Sequence, residues 1–84
     1  MKYKIQMNNT YRLEITYPKI ISLNQITSLV KSVQGVHIQS INLVSTGRDV
    51  VGILTLETPD QINVSSVVTL MRSWNEITVD VKDF

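Results

Sequence analysis

The chain has 84 residues, 43% of them hydrophobic, and a formal net charge of +1 from 8 basic and 7 acidic side chains. This length and composition are typical of one folded domain with a small core, not of a disordered chain. The balanced charge argues against a nucleic-acid or anionic-lipid partner. The lack of cysteine excludes disulfides, thiolate metal sites and cysteine nucleophiles.

The amino-terminal segment allows two interpretations. Residues 1–10 are either a leader or linker, or a short extra strand with a turn at Asn8-Asn9. The start, MKYKIQMNNT, lacks the apolar segment of a signal peptide, and no apolar run in the chain reaches the ~18–20 residues of a membrane span. We therefore expect a cytoplasmic location. Both a whole protein and a domain of a longer one fit these observations.

Residues 11–34 predict a strand followed by a helix. Residues 11–17 alternate in polarity, and Pro18 ends the strand because it lacks an amide donor. Apolar residues then recur at helical spacing, which predicts a helix over residues 23–34 with its apolar stripe at Ile26, Leu29, Val30 and Val33.

The ends of this helix carry recognisable signals. Ser22 and Gln25 form a capping box, and Ile21 and Ile26 can form a hydrophobic staple across the first turn. Gly35 is predicted to follow the last turn in a left-handed conformation.

Two further strands follow. Residues 36–45 predict a strand in which the apolar phase shifts by one residue, and this shift indicates a bulge near Gln39-Ser40. Residues 46–49 predict a hairpin turn, with Gly47 available for positive φ. Residues 50–57, VVGILTLE, are apolar on both faces and predict a central strand.

The chain closes with a second helix and a fourth strand. Asn63 is the predicted cap of this helix, and its apolar face comprises Val64, Val67, Val68, Met71 and Trp74. We expect Trp74 to be a core residue that closes the helix. The last strand alternates Ile77, Val79 and Val81 with polar residues.

The order β-α-β-β-α-β predicts an α+β, ferredoxin-like fold. Right-handed crossovers place two helices on one face of an antiparallel sheet of order 4-1-3-2. The predicted core strand residues are Tyr11, Leu13, Ile15, Leu54, Leu56, Ile77 and Val79. Charged and polar residues face the other way on the first and fourth strands, where Arg12 and Asp80 are a predicted cross-strand pair.

Two features predict a homodimer. Val51 and Ile53 form an apolar patch on the open sheet face, and such patches often mark interfaces. The second strand is an edge with only His37 and Arg48 near its ends, so it is open to pairing with another strand. We expect an interface through the open face or this edge, involving Gln39, Ile41, Val51 and Ile53.

Other functions of this fold lack the residues they need. RNA binding requires aromatic rings on the open face, and here the central strand has none. His37 has no partner at the spacing of a catalytic dyad or triad, and the loop at residues 17–22 has no glycine to wrap a phosphate. We therefore expect no enzyme activity, no catalytic residue, no metal, no cofactor and no nucleic-acid partner.

The segment IISLNQITSLVKSVQGVHIQSI resembles the first half of ACT domains, the small regulatory modules that bind amino acids and similar effectors. The matching positions are Ile26, Leu29, Val30, Gly35, Val36 and Ile38. The resemblance covers residues 11–84 and implies a non-enzymatic regulatory or assembly domain there. At the positions of the Pro-Gly usual in ACT ligand loops, this chain has Ile20-Ile21. By position, the resemblance implies ligand contacts at Lys19, Ile20, Ile21, Ser22, Asn24, His37 and Gln39.

More narrowly, YRLEI and the closing helix and strand are similar to the carboxy-terminal ACT-like domain of MgtC/SapB membrane proteins. This implies the cytoplasmic part of a magnesium-transport-related membrane protein. The alternative is the amino-acid-sensing or importer-type regulatory domain of a soluble enzyme or transporter ATPase, with a small-molecule effector as partner.

Overall fold

The computed structural model describes residues 9–83. Its elements follow the predicted order, with bounds β1 (Asn9–Pro18), α1 (Leu23–Lys31), β2 (His37–Thr46), β3 (Asp49–Thr58), α2 (Gln61–Arg72) and β4 (Thr78–Asp83). The extra strand considered for residues 1–10 falls mostly outside the described residues, although Asn9 and Thr10 belong to β1.

The four strands form one antiparallel sheet of order β2-β3-β1-β4. Read from its other edge, this is the predicted 4-1-3-2 order, so the ferredoxin-like fold is confirmed. β1 and β3 are the central strands, and their alternation sends one set of side chains towards the helices. α1 contacts β2, and α2 contacts β3 and β4.

The core lies between the sheet and the two helices. Every predicted core strand residue is buried, as are Ile21, Tyr17 and Val36. The helices contribute Ile26, Val30, Val64, Val67, Val68 and Met71. Trp74 is half-buried and packs against the cluster from just beyond α2. Burial of the Tyr17 side chain raises the pKa of its phenol above the ordinary value of 10.0.

α1 begins as predicted but ends earlier. The Ser22 amide donates to Gln25 Oε1 at 2.8 Å, and the Gln25 amide donates to Ser22 Oγ at 3.2 Å, which completes the capping box. The predicted end near residue 34 is wrong, because α1 stops at Lys31. There the Ser32 hydroxyl donates to the Leu29 carbonyl at 2.7 Å and so satisfies a last-turn acceptor. Gly35 does have positive φ, at 86°, but three residues beyond the Ser32 cap.

The predicted cap of α2 is also wrong. Asp60 is the cap, and its carboxylate accepts from the Ile62 amide at 3.0 Å. A carboxylate at this position also complements the positive end of the helix dipole. Asn63 lies within the first turn instead, where its Nδ2 donates to the Thr58 hydroxyl at 2.9 Å. Thr58 is fully buried, so this hydrogen bond joins α2 to the end of β3 inside the protein.

The predicted bulge in β2 is present. The register between β2 and β3 shifts between Ile38 and Ser40, after which Ile41 lies opposite Leu54. The hairpin that follows has a two-residue turn, Gly47-Arg48, between paired Thr46 and Asp49. Gly47 has φ 78°, as a type II′ hairpin turn requires at its first central residue.

The predicted pair of Arg12 with Asp80 is wrong. β1 and β4 change register between Arg12 and Leu13, so Asp80 lies opposite Glu14. Glu14 instead forms an ion pair with Lys82, with Nζ and Oε1 3.4 Å apart. Both side chains are about half-exposed, so we expect this pair to add well under ~1 kcal/mol to stability.

Candidate functional site

The loop between β1 and α1 is the first half of the ligand site implied by the resemblance. The Lys19 amide donates to the Arg48 carbonyl at 2.9 Å, so this loop lies beside the β2–β3 hairpin. The Ile21 amide donates to the Pro18 carbonyl at 2.9 Å and closes a tight turn. Ile20 at the tip is 87% exposed, whereas Ile21 is buried in the core. A ligand at this loop would therefore meet Ile20 and the polar start of α1, but not the Ile21 side chain.

The polar residues at the start of α1 are Ser22 and Asn24. Both are exposed, and Asn24 lies on the outer surface of the helix. The Ser22 side chain and amide are already engaged by Gln25. Only part of the Ser22 hydrogen-bonding capacity is therefore free for a ligand.

His37 and Gln39 are the second half of the implied ligand site. Both are exposed, and the Gln39 Nε2 donates to the Glu57 carboxylate at 3.3 Å. His37 lies opposite Glu57 at one end of the sheet, whereas the loop lies beside Asp49 at the other. Asp49 and Glu57 are eight positions apart along β3, which is about 26 Å. The two halves of the implied site therefore do not meet within one chain.

The β2 side of the molecule exposes apolar side chains. Ile41 is 40% exposed and Val44 is 61% exposed, and every residue of β2 is exposed or half-exposed. Leu23, at the start of the adjacent α1, is also exposed. Ile41 is among the predicted interface residues, whereas Val44 and Leu23 were not singled out from the sequence. The sequence does contain a signal for the exposure of Val44. It follows the bulge in a predicted edge strand, where apolar residues fall on both faces of the sheet.

Val51 and Ile53 face the open side of the sheet, as predicted, and both are half-buried. Val51 lies between Val44 and Thr16 across the sheet, and Ile53 lies between Asn42 and Glu14. The apolar patch is thus confined to two adjacent strands and is bordered by polar side chains.

A shallow groove crosses the same open face. Its volume is about 490 Å³, and its lining residues come from all four strands: Arg12, Ser40, Asn42, Ile53, Thr55 and Lys82. Only Ile53 was singled out from the sequence as a site residue. The polar members were missed because their convergence depends on the register of three strand pairs.

A second concavity, of about 340 Å³, lies between α1 and the end of α2. Trp74 forms one wall, and Asn24, Gln25, Ser28, Leu29 and Ser32 form the other. Trp74 thus packs partly against the core, as predicted, and also lines this concavity.

Metal-ligating side chains do not cluster in the described part of the chain. Within residues 9–83, no three His, Cys, Asp or Glu side chains cluster as a metal site would require. Neither helix in this part of the chain is long and apolar enough to cross a membrane.

Comparison with known proteins supports the fold assignment. No protein-family model matches the chain, and no curated protein shows significant sequence similarity to it. The crystal structure of the ACT domain from GTP pyrophosphokinase of Chlorobium tepidum superposes with a TM-score of 0.74 at 15% identity, covering 89% of this chain and 99% of that one. The solution NMR structure of the same domain gives 0.70 at 15% identity, covering 92% and 90%.

The chain therefore has the fold of an ACT domain, as the sequence resemblance implied. At this identity the likeness concerns the fold alone. The narrower similarity to MgtC/SapB proteins stays a prediction.

Proposed function

We propose that this chain is a non-enzymatic ACT-like regulatory or assembly domain that forms a homodimer through β2. The observation that carries the proposal is the β2 side, where exposed apolar side chains coincide with a strand edge that no other strand of residues 9–83 pairs with. A strand edge offers free amide and carbonyl groups to a second strand. Charged residues commonly protect such edges, but β2 itself carries no Lys, Arg, Asp or Glu.

Burial of apolar surface adds to this argument. Ile41 faces the helix side of the sheet at its edge, next to α1. Leu23 is also exposed, at the start of α1, so both of these contacting elements expose an apolar side chain. Continuing the sheet into a second copy would satisfy the edge and cover apolar surface beside it.

An antiparallel pairing of two β2 strands also has a consequence for ligand binding. It brings the His37 end of one β2 beside the Thr46 end of its partner. Because the loop that contains Lys19 lies next to the hairpin at that second end, the loop of one protomer would approach Gln39 of the other. The two halves of the implied ligand site would then meet between protomers, which supports a role in effector binding.

The test is sedimentation velocity on the wild type and two charged variants. Ile41→Lys places a charge on the edge, and Val51→Lys places one on the open face. We expect a wild-type dimer that Ile41→Lys converts to a folded monomer, while Val51→Lys stays dimeric. A wild type that is monomeric at every accessible concentration contradicts the dimer. Loss of the dimer only in Val51→Lys moves the interface to the open face.

The cellular setting and the effector are separate parts of the proposal. We propose a cytoplasmic domain of an MgtC/SapB-like membrane protein, for which the parent reading frame must encode membrane helices before this segment. The alternative, an amino-acid sensor of a soluble enzyme or importer, predicts measurable heat when amino acids are titrated into the wild-type protein at millimolar concentration. No heat from any amino acid counts against this alternative.

A further inference from the structure

The groove on the open sheet face is lined mainly by polar side chains. Thr55 lies opposite Ser40 on one side and Arg12 on the other, so two hydroxyls and a guanidinium form one row across the sheet. Asn42, Ile53 and Glu14 form the next row, of which Asn42 and Ile53 line the groove. The groove thus combines hydrogen-bonding groups with one apolar side chain on its floor.

The charges of the groove are asymmetric. Arg12 and Lys82 both line it, and no carboxylate among the described side chains does. In the register between β1 and β4, Asp83 is the backbone partner of Arg12. Lys82 is partly neutralised by Glu14, at 3.4 Å, just outside the lining. Among the described side chains, no carboxylate lies within 4.0 Å of the Arg12 guanidinium. Arg12 is also exposed, so its donors are accessible to a ligand.

We propose that this groove binds a small organic anion with a phosphate or carboxylate group. Arg12 binds the oxyanion in a bidentate manner, and Lys82 adds a second positive charge. The Ser40 and Thr55 hydroxyls hydrogen-bond to the ligand, and Ile53 packs against its apolar part. A volume of about 490 Å³ is within the usual range for small-molecule sites.

The site does not depend on the proposed dimer. All six lining residues belong to one chain, and they lie away from the ligand loop at Lys19, which is beside the hairpin. Pairing through the β2 edge leaves the open face accessible, so a folded monomer is expected to bind as well. Anion binding in the groove and dimerisation through β2 can therefore be tested independently.

The experiment is a titration of ¹⁵N-labelled protein followed by amide chemical shifts. The probes are inorganic phosphate and succinate, each at fixed ionic strength maintained with sodium chloride. We expect saturable shifts at Ser40, Asn42 and Thr55, and unsaturated or negligible ones at Lys19. Saturation by one probe alone supports the site and identifies which oxyanion it prefers.

Three substitutions are expected to change the affinity for the anion in three different ways. Arg12→Gln removes the bidentate donor and should weaken binding by at least about tenfold, since hydrogen bonds to charged groups contribute this much or more. Glu14→Gln releases Lys82 from its ion pair and should strengthen binding several-fold. Lys31→Gln removes an exposed charge at the end of α1, outside the groove, and should leave the affinity unchanged.

Two results would overturn the proposal. One is a set of shifts spread over all basic surface residues, with no saturation. The other is equal binding by Arg12→Gln, Glu14→Gln and wild type. The titration is repeated on Ile41→Lys, where unchanged groove shifts support the site whether or not the wild type dimerises.

Discussion

Thr58, at the end of β3, has a fully buried polar side chain that connects this strand to α2. Its hydroxyl accepts from Asn63 Nδ2 at 2.9 Å. Thr58→Val keeps the shape but leaves the Asn63 amide without this partner, so we expect a loss of about 1–2 kcal/mol in the free energy of unfolding. Urea denaturation measures the loss.

Asn63→Ala completes a double-mutant cycle with Thr58→Val. Because both substitutions remove the same hydrogen bond, the double variant should lose less than the two single losses combined. Additive losses would contradict a direct coupling between the two side chains.

Two glycines with positive φ form a matched pair. A Cβ at Gly35 would lie 3.0 Å from Asn63 Nδ2, whereas one at Gly47 would meet nothing within 4 Å. Both alanine substitutions bear the left-handed penalty of about 1–2 kcal/mol. Gly35→Ala should therefore lower the melting temperature more than Gly47→Ala does, and the reverse order would contradict the packing at Gly35.

Tyr17 makes stability depend on pH at the alkaline end. Burial raises the pKa of its phenol above 10.0, so the folded state retains a proton that the unfolded chain releases. This contribution to stability is complete below pH 10 and is lost as pH rises through the pKa of the folded state. Tyr17→Phe should show a smaller decline in unfolding free energy above pH 10, measured by urea denaturation. An identical decline in both proteins would argue against the raised pKa.

At the level of elements, Gly52 fixes the approach of β3 to β2. A methyl group there would overlap the Asn42 carbonyl oxygen and come within 2.7 Å of the Leu43 Cα. Both contacts are with backbone, so the strands would have to separate. We expect Gly52→Ala to cost about 1–3 kcal/mol. Ser45→Ala, at an exposed position on β2, is the control and should stay within about 0.5 kcal/mol of wild type in the same denaturation experiment.

The six elements were predictable because their burial patterns are strong. Alternation along β1 and helical spacing in α1 and α2 each identify one buried face. The ends of the helices were less predictable, since several residues near each end can cap it. Ser32 and Gly35 compete to end α1, and Asp60 and Asn63 compete to begin α2. The outcome depends on hydrogen bonds to particular backbone groups, which spacing does not specify.

The candidate sites were predictable only where one strand determines them. Val51 and Ile53 share a face of β3, so their patch follows from alternation alone. The groove depends instead on how four strands align, including the shift at Ser40 and the irregularity at Arg12. A one-residue change in register moves a strand's side chains to the other face. Arg12, Ser40 and Thr55 therefore could not be grouped from the sequence.

At the level of the whole molecule, the β2 side and the open sheet face have separate proposed roles. The β2 side exposes Ile41 and Val44 at an edge that no described strand pairs with, which favours a second copy of the chain. The open face carries a polar groove with Arg12 and Lys82 in its lining, which is the basis of the proposed anion site. The likeness to ACT domains concerns the backbone alone, so both proposals are argued from the surfaces of this chain.

The most direct test of the β2 dimer is site-specific cross-linking, because the chain has no cysteine of its own. Asn42→Cys lies near the centre of β2, where a two-fold pairing brings each strand close to its own copy. Ser66→Cys lies on the exposed surface of α2 and is the control. With a short bismaleimide, we predict covalent dimers from Asn42→Cys and monomers from Ser66→Cys. Equal cross-linking of both variants, or none from Asn42→Cys in a protein that sediments as a dimer, would contradict pairing through β2.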